Sequence, residues 1–108
     1  IKTEKKIFDA INDQKSVSPS NWRHSAVVTG KSTTVRIEIW DEDGNLYGDD
    51  DHCDANPASD FKSILVNVDL PSKRLSRHVT GTAGQSFTLS GNGSNAVKVT
   101  FTIDVTEL

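Results

Sequence analysis

Apolar and polar residues alternate most strictly over residues 97–105. Val97, Val99, Phe101, Ile103 and Val105 fall on one side, and Lys98, Thr100, Thr102 and Asp104 on the other. A period of two with one apolar face predicts a half-buried antiparallel strand. Residues 33–40 repeat the pattern, with Val35, Ile37 and Ile39 opposite Arg36 and Glu38. Residues 63–70 do so again, with Ile64, Val66, Val68 and Leu70 on one face. Shorter strands are expected over 23–29 and 86–90. Pro71 closes the third long strand, because proline donates no ladder hydrogen bond. Gly30-Lys31-Ser32 separates two strands, Gly81 and Gly84 interrupt the chain before Phe87, and Gly91-Asn92-Gly93-Ser94 reads as a tight hairpin turn. Near the N-terminus, Ile7, Phe8 and Ile11 fit a short helix or an irregular strand; the β-rich remainder favours the strand. Short alternating strands with Gly-rich turns predict an all-β fold, an antiparallel β-sandwich. The 108 residues suit a single domain spanning 1–108.

Composition changes the picture through the distribution of charge. The net charge is only -3, yet residues 41–54 hold seven acids (Asp41, Glu42, Asp43, Asp49, Asp50, Asp51, Asp54) and no Lys or Arg. Outside that stretch 12 basic residues face eight acidic ones, a balance of +4. A mildly basic body with an acidic tip argues against a nucleic-acid binder, which needs a broad basic face. The lone cysteine, Cys53, excludes an internal disulfide. A first residue of Ile rather than Met suggests a processed chain or a piece excised from a longer one. No stretch resembles a signal peptide or a membrane span, so the chain is expected to be soluble.

The acidic stretch begins where the 33–40 strand ends, and its chemistry suits a hard cation. Ca²⁺ takes six to eight oxygens at about 2.3–2.6 Å, mainly from carboxylates and backbone carbonyls. Asp keeps its oxygens close to the backbone, while Gly44 and Gly48 let the chain fold round an ion. Two carboxylates ~7 Å apart at an effective dielectric of ~40 repel by roughly 1 kcal/mol, so several such pairs penalise the empty loop. A divalent cation reverses that sign, and ligand at a hundred times its Kd adds about 2.7 kcal/mol to stability. The bland alternative is a solvated acidic loop. An EF-hand fits poorly. Counted from Asp41, Leu46 and His52 stand where Gly and Glu belong; counted from Asp43, Tyr47 occupies a ligand position.

A better match follows from Trp40, Asp41, Asp43 and Asp49: a strand ending in Trp, then Asp-x-Asp, five residues, then Asp. Here the sequence resembles the third calcium loop of the C2 domain. The continuation through Asp49-Asp50-Asp51 to Asp54-Ala55-Asn56-Pro57 resembles an Asp-rich, C2-like variant. The resemblance implies an eight-stranded antiparallel sandwich with calcium held by loops at one end. It also implies Asp donors from a first loop, for which Asp9, Asn12 and Asp13 stand in position. The family spacing is not clearly reproduced there, and the chain is shorter than a usual C2 domain. Apolar tip residues of the family's loop dip into bilayers, a role that falls on Leu46 and Tyr47; the alternative is that they fold back onto the loop.

Other groups carry weaker signals. Lys73, Arg74, Arg77 and His78 form a basic cluster that suits lipid phosphates, although a solvated strand edge explains it as well. His52 and Cys53 beside the carboxylates raise zinc, but His24 and His78 are remote in sequence. The Ser, His and Asp residues make no nucleophile motif, and so short a chain lacks a second wall for a glycosidase cleft, so no enzyme is expected. Trp22 and Trp40 raise sugar stacking, with Trp40 expected as a core anchor. Asn92-Gly93-Ser94 also fits an N-glycosylation acceptor.

The expected function is calcium binding by Asp41, Asp43, Asp49, Asp51 and Asp54, with Asp50, Asn45 or backbone carbonyls completing the shell. Two roles compete: a structural ion in a module beside other domains, slightly favoured, and a calcium-dependent bridge to an anionic phospholipid membrane. Carbohydrate or protein recognition is a third. A monomer is expected. The compartment is open, with an extracellular or cell-surface setting favoured because calcium is abundant there.

Overall fold

The computed structural model describes residues 23–41, 51–58, 60–93 and 95–107. Those residues are all-β, without a helix, in antiparallel sheets. Eight strands follow in order: β1 (Ser32–Ile37), β2 (Ile39–Asp41), β3 (Asp51–Cys53), β4 (Ile64–Asp69), β5 (Arg74–Arg77), β6 (Gly81–Thr82), β7 (Ser86–Ser90) and β8 (Lys98–Thr102). The main sheet has the order β1-β4-β5-β6, while β2-β3 and β7-β8 form two-stranded ladders.

Alternation explains where the core lies. Ile64, Val66 and Val68 of β4 are buried and meet Ile37, Val35 and Thr33 of β1 in register. Leu75 of β5 stands opposite Val68 and is also buried. Ala55 and Val79 complete this cluster. Against it pack half-buried Phe87 and Leu89 from β7 and Val99 and Phe101 from β8, followed by Ile103 and Val105. Two apolar sheet faces thus share one core, an arrangement consistent with a β-sandwich. Phe87 and Phe101 sit opposite each other, their ring centroids 5.8 Å apart. Thr88 and Thr100 pair through their hydroxyls on the outer face at 2.8 Å.

Several expected elements differ. The 33–40 strand is two strands, broken at Glu38, whose carboxylate sits 3.6 Å from Arg36 and accepts the Trp40 indole N–H at 3.0 Å. Trp40 is no core anchor: it is 52 % exposed. Residues 23–29 form no strand, and Val27 there is 73 % exposed. Arg23, His24 and Ser25 offer no apolar face to bury. The basic cluster is no sheet edge either. Arg74 and Arg77 belong to β5, which lies between β4 and β6. Lys73 closes the β4–β5 turn with φ of 60°, its N–H donating to the Asp69 carbonyl at 2.7 Å. The β7–β8 connection runs over residues 91–97, longer than a tight turn, because it wraps an acid from another part of the chain.

Candidate metal centre

The acidic stretch leaves one ladder and returns to it. β2 pairs with β3 through Ile39–Cys53, Trp40–His52 and Asp41–Asp51. The register therefore pairs two acidic residues, Asp41 and Asp51, that flank residues 42–50 in the sequence. Acidic residues at directly paired positions are an unfavourable combination in a ladder. The expected ligands Asp43, Asn45, Asp49 and Asp50, the tip residues Leu46 and Tyr47, and Asp9, Asn12, Asp13 and Trp22 lie outside the described residues. Among the described residues no three His, Cys, Asp or Glu side chains converge as a metal cage.

Asp54 is described, and its carboxylate has other partners. It is buried, 5 % exposed. Oδ1 accepts the Asn56 N–H at 3.0 Å; Oδ2 accepts the N–H groups of Asn92 at 3.1 Å and Gly93 at 2.7 Å. The backbone adds to the clasp: Asp54 N–H donates to the Asn95 carbonyl, and Val97 N–H donates to the Asp54 carbonyl. An isolated parallel bridge joins Asp54 to Ala96. The approach is close enough to require glycine. A Cβ on Gly91 would run into the Asp54 carbonyl, and one on Gly93 would meet Oδ2 at 2.9 Å. The N–H groups of Asn56 and Gly93, with smaller help from Asn92 and Lys62, hold the carboxyl pKa below its ordinary value against the opposing effect of burial.

The next polar residue extends the clasp. Asn56 is 1 % exposed. Its side-chain oxygen accepts the Ala58 N–H at 2.9 Å, and its amide nitrogen donates to the Ser63 carbonyl at 2.9 Å and meets His78 Nδ1 at 3.0 Å. Ala55 N–H closes the same turn on the Lys62 carbonyl. Asn92 returns a side-chain bond to the Pro57 carbonyl at 2.9 Å. The Asp54-Ala55-Asn56-Pro57 string thus welds the loop exit to the β7–β8 connection and to the main sheet.

On the exposed side, the Trp40 and His52 rings stack with centroids 4.5 Å apart and planes 9° off parallel. His52 Nε2 lies 3.7 Å from Glu38 Oε2 and 3.4 Å from Ser63 Oγ. Carboxylate and hydroxyl thus address the same ring nitrogen, whereas a nucleophile relay needs one on each. Cys53, next in the strand, is buried opposite Ile39.

Sequence reasoning had no local signal for the pairing of Asn56 with His78 or of Asp54 with Gly93, because these partners lie 22 and 39 residues apart. The Asn-Gly pair at 92–93 was visible, but only as a turn and a glycosylation acceptor. Set against family models, curated proteins and solved structures, the chain gives no match in any of the three comparisons.

Proposed function

We propose that this chain is a calcium-binding β-sandwich module, C2-like in its acidic loop, in which the ion has a structural role. The observation that carries the reading is the register of Asp41 opposite Asp51 at the mouth of a loop that also holds Asp43, Asp49 and Asp50. These five carboxylates, with Asn45 and backbone carbonyls, supply the hard oxygen shell that Ca²⁺ takes. Asp9 and Asp13 are the donors from a first loop. Asp54 serves as the anchor of the loop exit, since its oxygens already accept three N–H groups.

A structural role is favoured by that anchor. An ion at the loop mouth would brace β2 and β3 directly, and through Asp54 the β7–β8 connection as well. Calcium and a neighbouring domain of a larger protein are the partners of this reading, and it assigns the chain no catalysis.

Thermal unfolding tests it, with excess EDTA and then with added Ca²⁺ or Mg²⁺. The expected result is a rise with calcium alone, worth about 2.7 kcal/mol at a hundred times Kd. For a domain of this size that corresponds to a shift of roughly 10–20 °C in melting temperature. Equal melting in all three conditions overturns the proposal.

A further inference from the structure

His78 sits where β5 ends, and its ring faces inward onto the turn that follows Asp54. Its Nδ1 receives two N–H groups. The Leu65 backbone donates at 2.9 Å, and the Asn56 side-chain amide approaches at 3.0 Å. A backbone N–H can only donate, so Nδ1 is the unprotonated nitrogen and the proton is on Nε2. The Asn56 amide orientation is fixed independently, because its oxygen accepts from Ala58 and its nitrogen donates to Ser63. The backbone adapts to this arrangement: Leu65 N–H bonds the ring, and the Leu65 carbonyl accepts His78 N–H at 3.2 Å. Arg77, just before it, has φ of 89°, a conformation that side chains other than glycine seldom adopt. Phe61 closes over the ring edge-on at 4.7 Å, and the Arg77 guanidinium lies 5.8 Å from the Phe61 ring centre.

We propose that His78 is an acid-sensitive latch, which fastens the 54–63 turn to β4 while its ring is neutral and releases it when Nδ1 takes up a proton. A protonated Nδ1 presents a third N–H to two donors, so both bonds fail together. The charged group acting on the ring is Arg77 on β5; from the turn it meets Asn56 and Phe61, and from β4 the Leu65 backbone, none of which titrates. Burial, reinforced by the Arg77 charge, pushes the His78 pKa below its ordinary value. The released ring therefore binds a proton more readily than the latched one. Above the ordinary imidazole value of ~6.5 the latch holds fully. Between that value and the lowered one, each pH unit of acid favours release by up to about tenfold.

The latch does not depend on the calcium reading, and its test is run in EDTA. Two measurements on the wild-type protein suffice: the nitrogen NMR shifts of the His78 ring, and hydrogen exchange of the Leu65 amide from pH 7 to pH 5, corrected for intrinsic exchange. The expected ring is the Nε2–H form, and Leu65 protection is expected to fall by up to about tenfold per pH unit in the titration window. His78→Asn, which keeps an acceptor near the Nδ1 position but cannot titrate, is expected to show level protection. An Nδ1–H ring, pH-independent protection in the wild type, or a parallel fall in H78N each overturns the latch.

Discussion

Asp54, expected as a calcium ligand, is also a residue on which the fold converges. In sequence it closes a run of acids. In the structure its two oxygens gather N–H groups from residues 56, 92 and 93. That role has a pH signature. A carboxyl whose pKa is lowered on folding stabilises the fold above its unfolded value, near pH 4. That contribution is lost as pH falls through the lowered folded value. Asp54→Asn is therefore expected to lower the melting temperature at pH 7 and to converge on the wild type as the pH drops below 4. Melting curves from pH 7 to pH 2 check it, and a constant offset across the range contradicts the charge-based account. Asn56 was visible in the sequence as part of the Asp54-to-Pro57 string, but its bonding role was not. A buried amide satisfied at both ends stands out only once its partners are folded around it.

At the scale of elements, alternation was a reliable guide where a strand presents a full apolar face. β4, β7 and β8 lie within the stretches that Ile64 to Val68, Phe87 and Leu89, and Val99 and Phe101 mark out. β5 was missed because Leu75 is its single buried residue, and its neighbours Arg74, Ser76 and Arg77 read as surface. The three-residue β3 was missed because Asp51-His52-Cys53 carries no strand pattern; β2 supplies its pairing. The charge of the acidic stretch was legible, although Asp41, expected to open the loop, is the last residue of β2. Its closure, Asp41 against Asp51, was not legible, because register belongs to the ladder. The β7–β8 connection yields a prediction at this scale. Gly91→Ala places a methyl group against the Asp54 backbone, which strands cannot yield without breaking the Asp54–Ala96 bridge. Overpacking of this kind costs about 1–3 kcal/mol, measurable by urea unfolding. An alanine variant as stable as the wild type contradicts the close approach.

The whole molecule is held by contacts that ignore chain order. β1 and β4 share six register pairs, from Ser32–Asp69 to Ile37–Ile64, and β2 and β3 share three more. Among the described residues, those of β1 and β2 are bound to those after residue 50 through these two ladders and the core beneath them. Peptide continuity across 42–50 is therefore redundant for cohesion. A chain nicked by a protease in that stretch is expected to survive as a two-piece protein, one fragment carrying β1 and β2 and the other β3 to β8. The pieces should co-elute in gel filtration and separate in strong denaturant; early separation in native buffer contradicts this view of the ladders. The same redundancy marks 42–50 as a place where new chain ends leave the ladders β1-β4 and β2-β3 intact.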